Sequence, residues 1–143
     1  MSLPNPYAQY RQTQAVTASQ MKLIIMLHDG AIRALQQAAT ATEARDLEKM
    51  ASHYNKATEI ISHLSSSVRP DTGEIAQNLG QIYIYCLQRI LYANAMEDAS
   101  IAREIIGHIR SIRDAWEQVE RMKAASTPQD KSSTDKMDLS FAA

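Results

Sequence analysis

The central part of the chain carries hydrophobic residues at every third or fourth position, which is the spacing of amphipathic α-helices. Four such stretches follow one another with short polar breaks between them, and no strand-like alternation crosses them. The pattern predicts helices over about 19–41, 46–68, 72–95 and 99–124. Helices of about 23 residues are roughly 35 Å long, and short connections make neighbouring helices run antiparallel. The sequence therefore predicts an all-α fold, an antiparallel up-down-up-down four-helix bundle over residues 19–124.

Several residues at the predicted helix ends are of the types that begin or end helices. The Asp46 carboxylate is placed to cap the second helix, and Pro70 ends it because proline cannot continue the backbone hydrogen-bond ladder. Asp71 and Glu74 have the spacing of a capping box. This spacing predicts that Asp71 caps the third helix.

The first and third helices carry more apolar surface than one core-facing stripe requires. The residues that widen the two apolar faces are Leu23, Met26, Leu27, Ala34 and Ala41 in the first helix and Tyr83, Ile84, Leu87 and Leu91 in the third. One interpretation is that these two helices lie on a diagonal of the bundle and are buried more deeply than the others. The other is that the surplus surface forms a groove for an amphipathic segment of a partner protein.

The two ends of the chain differ in composition from the bundle. Residues 1–18 form a predicted N-terminal arm, too polar for a core helix, whose Tyr7 and Tyr10 are best explained if the arm packs against the groove. Residues 125–143 form a predicted flexible, polar C-terminal tail of disordered composition. Apolar residues near the end of the tail (Met137, Leu139 and Phe141) leave open whether it is solvated or docks on a groove.

Composition narrows the class of protein. The 143 residues suit one domain, and 15 Lys and Arg against 16 Asp and Glu, with a pI near 6.4, argue against a nucleic-acid-binding protein. The apolar run over 23–27 is too short to insert in a membrane, and the N-terminus lacks the pattern of a signal peptide. A single cysteine, Cys86, is compatible with a reducing compartment. We therefore expect a cytoplasmic protein.

No arrangement of residues predicts catalysis or metal binding. A di-iron bundle needs Glu-x-x-His on two helices, whereas Glu59 and His63, like Glu104 and His108, stand four residues apart among surface-type residues. Cys86 lies on an apolar helix face, where it acts as a small hydrophobic residue. We expect no catalytic residue, cofactor or metal, and hence no enzyme.

Three glycines stand singly inside predicted helices: Gly30, Gly80 and Gly107. Each costs about 1 kcal/mol relative to alanine in a helix interior. They indicate close approach at those levels, either of a second helix or of the backbone of a ligand.

Several strings resemble the flagellar secretion chaperones (FliS), in order and spacing, from residue 4 to about residue 122. They are Asn5-Pro6-Tyr7-x-x-Tyr10, Thr17-Ala18-Ser19, Leu23-x-x-Met26-Leu27-x-Asp29-Gly30-Ala31-Ile32, Tyr83-x-Tyr85-x-Leu87-x-Arg89, Ala93-Asn94 and Arg113-Asp114-Ala115-Trp116. The chain departs from the family pattern at His28, where tyrosine is usual, and at Gln20, where proline is common.

The resemblance implies a helical bundle in the cytoplasm that holds the disordered C-terminal segment of flagellin. Such a chaperone prevents premature polymerisation and delivers flagellin to the flagellar type III secretion apparatus, whose export gate components are further partners. The flagellin-binding residues expected on this basis are Tyr7, Tyr10, Leu23, Met26, Leu27, Gly30, Tyr83 and Leu87. The alternative is a structural or signalling bundle that homodimerises through the same apolar surface.

Overall fold

The computed structural model describes residues 20–125, and within that range it is all-helical. Helix α1 is Gln20–Glu43, α2 is Leu47–Ser67, α3 is Glu74–Met96 and α4 is Ala99–Ala125. A short 3₁₀ turn, Pro70–Thr72, joins α2 to α3. The predicted all-α four-helix bundle is confirmed. The arm over 1–18 and most of the tail over 125–143 lie outside the described residues.

The four helices pack in a ring in which α1 and α3 are diagonal partners. Helix α1 packs against α2 and α4, and α3 packs against the same two helices. Ion pairs show that α1 and α4 are antiparallel, because Lys22 pairs with Glu120 (3.8 Å) at one end of the seam and Glu43 with Arg103 at the other. The outward faces of α1 and α3 therefore lie on opposite sides of the molecule.

Local signals at the helix ends explain one boundary and fail at another. The Asp46 carboxylate accepts a hydrogen bond from the Lys49 backbone N–H (3.2 Å) at the start of α2, which confirms the predicted cap. At α3 the predicted Asp71 cap is wrong. Asp71 lies inside the 3₁₀ turn, and Gly73, whose φ of 144° suits glycine, is the residue before the helix. The turn that follows Pro70 therefore displaces the capping box.

Burial differs sharply between the two diagonal helices. Helix α1 has 14 buried residues out of 24, whereas α3 has only five out of 23. Apart from Met26, the surplus apolar surface of α1 is thus packed within the bundle, as the interpretation of deeper burial predicted. On α3, Tyr83 is also buried, but Ile84 and Leu91 of the surplus surface are exposed. None of the described helices combines the length and the hydrophobicity needed to cross a bilayer.

Candidate docking surface on helix α3

The outward side of α3 presents a strip of large apolar side chains to solvent. We call it the α3 outer face, and it consists of Ile84, Tyr85, Leu91, Tyr92 and Met96. Leu91 is 73% exposed and Ile84 is 52% exposed, although both are aliphatic residues in a well-formed helix. Twelve residue steps at the helical rise of about 1.5 Å give the strip a length of about 18 Å. The exposed Gln88 lies between the two ends of the strip, and the rest of the strip is apolar or aromatic. An exposed apolar surface of this kind marks an interaction surface more often than chance exposure does.

A polar cluster between α3 and α4 fixes the aromatic residues of this face. The Tyr85 hydroxyl donates to Glu104 Oε2 (2.6 Å), and Arg89 donates to Glu104 Oε1 from Nη2 (2.7 Å) and Nε (3.1 Å). The Arg89 guanidinium also lies over the Tyr92 ring, 5.0 Å from its centroid, and the His108 ring meets the Tyr85 ring edge-on. Both tyrosines are therefore oriented by contacts within the molecule.

These contacts also shift ionisation within the cluster. Hydrogen bonds from the Tyr85 hydroxyl and then from Arg89 lower the pKa of Glu104, and the bond to Glu104 raises the pKa of Tyr85. The carboxylate and the neutral phenol are thus both stabilised at neutral pH. Because Glu104 is about one-third exposed, we assign the cluster an orienting role and only a small stabilising one.

Beneath the face, a buried hydrogen bond joins α3 to α1 across the diagonal. His28 Nδ1 donates to the Ile24 carbonyl (2.7 Å), so Nε2 is left to accept from the Tyr83 hydroxyl (2.8 Å). Both side chains are fully buried. Burial lowers the pKa of His28 to about 4 and raises the pKa of Tyr83, so both groups are neutral at pH 7.

The structure separates the residues that the sequence predicted for the site. On α1, Leu23 and Leu27 are buried, Met26 is 53% exposed, and Gly30 is half-buried, with space for a Cβ 3.4 Å from Ile60 Cδ1. The expectation that α1 leaves a broad uncovered apolar surface is therefore corrected, because that surface packs inside the bundle.

On α3 the predicted residues lie at two depths. Tyr83 is buried, and Leu87 is half-buried against the core, one turn before the exposed Leu91. Tyr7 and Tyr10 lie outside the described residues. The candidate site residues within 20–125 do not form one continuous groove.

None of the five residues of the α3 outer face was among the predicted site residues. Tyr92 and Met96 fall outside the helical stripe, and only the width of the apolar face gave a signal for Leu91. Glu104 was considered as half of a surface pair with His108, and its role in holding Tyr85 and Arg89 needed the relative placement of two helices. That placement is a tertiary property.

Two further features of the described residues concern metal-ligating side chains and the cysteine. No group of three metal-ligating side chains is found within residues 20–125. Cys86 is buried, and burial raises its pKa to about 12, so the thiol stays protonated at neutral pH. A helical bundle with an exposed apolar helix face is typical of proteins that bind another polypeptide.

Comparison with known proteins identifies the protein family. The sequence model of the family described as "Flagellar protein FliS" matches residues 3–123. The chain is 32% identical over 118 residues to the flagellar secretion chaperone FliS of Bacillus subtilis, covering 82% of this chain and 88% of the relative. It is 38% identical over 116 residues to the FliS of Salmonella typhimurium, covering 79% and 86%. The chain belongs to the FliS family of flagellar secretion chaperones.

Proposed function

We propose that this protein is a non-catalytic export chaperone of the cytoplasm that binds the disordered C-terminal segment of flagellin. In this role it prevents premature polymerisation and delivers flagellin to the flagellar type III secretion apparatus, where export gate components are its further partners. Membership of the FliS family supports the chaperone role. The observation that carries the binding mode is the α3 outer face, an apolar strip that the described part of the bundle leaves exposed.

The proposed binding mode is an amphipathic helix of flagellin laid along the α3 outer face. The strip of about 18 Å matches about three turns of a partner helix. A segment that folds as it binds typically buries about 1,000–3,000 Å², which is more than this strip alone offers. We therefore propose that the segment continues from the α3 outer face onto the surfaces of the adjacent helices α2 and α4.

The residues predicted from the sequence take different parts in this proposal. Leu87 supports Leu91 from one turn below, and Tyr83 holds α3 in place through His28. Leu23, Leu27 and Gly30 shape the inner packing of α1. For the N-terminal arm, we propose that Tyr7 and Tyr10 compete with flagellin for the apolar surface.

The proposal is tested by replacing an exposed residue of the face. Leu91→Glu places a charge where the partner helix packs, and we expect at least about tenfold weaker binding, equivalent to about 1.4 kcal/mol. Titration calorimetry with a C-terminal flagellin fragment measures this. The matched control is Met122→Glu on α4, which is similarly exposed (65%) but lies off the face and is expected to bind as the unaltered chain does.

Both substitutions are at exposed positions, so urea unfolding should show a similar stability for the two variants. Unchanged flagellin affinity in Leu91→Glu would contradict the proposed binding mode. The alternative, a homodimer formed through the same face, predicts instead that light scattering finds a dimer at low concentration and that Leu91→Glu converts it to a monomer.

A further inference from the structure

The seam between α1 and α4 is lined by opposite charges except near its middle. Within the described chain, Lys22–Glu120, Asp29–Arg113 and Glu43–Arg103 pair across this seam. Because α1 and α4 are antiparallel, the spacing of these pairs places Arg33 of α1 at the same height as residues 109–113 of α4. This range includes Arg110. At this level Arg33 lines the groove on the α2 side of α1, and Arg110 lines the groove on the α4 side.

Neither arginine has an ion-pair partner among the described residues. Among residues 20–125, no carboxylate forms an ion pair with Arg33 or with Arg110, and both arginines are exposed. Nearby cations are already paired, since Arg103 binds Glu43 and Lys49 lies 3.9 Å from Asp46. The middle of the seam therefore carries uncompensated positive charge.

A groove runs beside these arginines, between α1 and α4. It has a volume of about 440 Å³ and is lined by Gln36, Ala39 and Thr40 of α1 and by Arg103, Ile106, Gly107 and Arg110 of α4. Its floor is apolar and its rim carries amide, hydroxyl and guanidinium groups. A second groove on the α2 side shares Gln36 and Thr40 and includes Arg33. A chain lying across the α1 ridge would reach both arginines.

Gly107 is a second and independent sign of an external chain. A Cβ at Gly30 would meet Ile60 at 3.4 Å, and one at Gly80 would meet Val68 at 3.9 Å, so those glycines lie against packed neighbours. A Cβ at Gly107 would have no described atom within 4 Å. The helix therefore bears the cost of a mid-helix glycine, and no close approach by another described residue explains it.

We infer that the groove over Gly107 binds an acidic segment of a protein partner, with carboxylates paired to Arg110 and Arg33 and its backbone close to Gly107. The cations that line the two grooves are Arg33, Lys49, Arg103 and Arg110. Asp46 pairs with Lys49 and Glu43 with Arg103, which leaves a local excess of positive charge at Arg33 and Arg110 on a chain whose net charge is −1. That overall balance favours an acidic peptide over nucleic acid as the occupant. The site lies on α1, across the bundle from the α3 outer face, so it is separate from the proposed flagellin surface.

The inference is tested with a defined probe on the full chain. An acetylated octapeptide of alternating Glu and Ala is titrated into ¹⁵N-labelled protein, and its counterpart of alternating Gln and Ala serves as the uncharged control. We expect amide shifts concentrated at residues 36–40 and 103–110, and affinity that weakens as salt is added. Equal binding of the Gln peptide, or shifts scattered over the whole surface, would overturn the inference.

Arginine substitutions distinguish peptide binding in the groove from a general effect of the protein's net charge. We expect Arg110→Gln to weaken binding about threefold and the double variant with Arg33→Gln about tenfold, which is the scale of exposed charge pairs. Arg69→Gln, which removes the same charge at an exposed site after α2, should have no effect. Equal loss in Arg69→Gln and Arg110→Gln would mean that only net charge matters, and would overturn the inference.

A further variant tests whether the peptide occupies the groove at Gly107. Gly107→Leu fills the floor of the groove while favouring the helix, so the protein should fold and lose the octapeptide. Unchanged binding in this variant, or tighter binding of an eight-nucleotide oligothymidine than of the acidic octapeptide, would also overturn the inference. Leu91→Glu should leave octapeptide binding unchanged, so failure here is distinguishable from failure of the flagellin proposal.

Discussion

At the scale of single residues, the His28–Tyr83 hydrogen bond is the polar contact that joins the two diagonal helices. The geometry requires the Nδ1–H tautomer of His28, because the Ile24 carbonyl can only accept. The sequence placed His28 on the stripe of α1 but gave no sign of its partner, since the two residues are 55 positions apart. Only the packing of the whole bundle brings them together.

The buried tyrosines provide a matched pair of substitutions. Tyr83→Phe leaves His28 Nε2 buried without a donor, so the free energy of unfolding should fall by about 1–3 kcal/mol. Tyr54 is as deeply buried, but its hydroxyl makes no hydrogen bond within the described residues. Burial raises the pKa of Tyr54, and the nearby Thr42 hydroxyl partly offsets that rise. Thr42 donates its own proton to the Ala38 carbonyl (2.7 Å), and within the described residues the Tyr54 hydroxyl has no partner in hydrogen-bond geometry.

Tyr54→Phe should therefore be neutral or stabilising, because it removes an unsatisfied buried group. Urea unfolding of the two variants at pH 7.5 compares them directly. A loss of stability in Tyr54→Phe as large as that in Tyr83→Phe would show that the His28 contact contributes nothing of its own.

Burial of neutral His28 predicts a loss of stability in mild acid. Its pKa is lowered from 6.5 to about 4, so the unfolded chain binds a proton in a pH range where the folded chain does not. The contribution is complete above pH 6.5 and is lost as the pH falls towards 4, amounting to about 2 kcal/mol between pH 7.5 and pH 5.

His28→Gln keeps an acceptor for Tyr83 but does not titrate, so its stability should change by about 2 kcal/mol less over the same interval. Urea unfolding of both chains at pH 7.5, 6 and 5 measures the difference. Parallel pH profiles would contradict the assignment of His28 as a buried neutral group.

At the scale of helices, hydrophobic spacing was sufficient to predict the fold, whereas local end signals were not always sufficient. Asp46 acts as predicted because nothing competes with it at the start of α2. Asp71 and Glu74 have the correct spacing for a capping box, but Pro70 fixes a backbone angle that starts a 3₁₀ turn, and the helix begins only after Gly73. The spacing of two residues alone does not determine whether a capping box or a 3₁₀ turn forms at this position.

The helical glycines differ in what a side chain would meet. Gly107→Ala adds a methyl group in open space and should raise the free energy of unfolding by about 0.5–1 kcal/mol. Gly30→Ala gains the same helix propensity, but its methyl group must lie against Ile60 at 3.4 Å, so the net gain should be smaller. Thermal and urea unfolding of both variants check this order, and a destabilised Gly107→Ala would contradict it.

At the scale of the whole molecule, the two sequence interpretations of the wide helices each hold for one helix. Helix α1 is largely buried among its neighbours, and α3 keeps part of its surplus apolar surface, including Ile84 and Leu91, exposed. The sequence could not separate these outcomes, because both helices have broad apolar faces. Which helix is enclosed depends on how closely α2 and α4 approach each of them. For the same reason Leu23 and Leu27 were predicted at the site while Tyr92 and Met96 were not.

The central claim is that the α3 outer face, rather than another exposed apolar residue, receives flagellin. Three exposed methionines report on three helices: Met96 on α3, Met26 on α1 and Met122 on α4. Mild oxidation followed by mass spectrometry gives the rate at each methionine, with and without a saturating C-terminal flagellin fragment. The account predicts that the fragment slows oxidation of Met96 several-fold and leaves Met122 unchanged. An unchanged rate at Met96 in the saturated complex would contradict it.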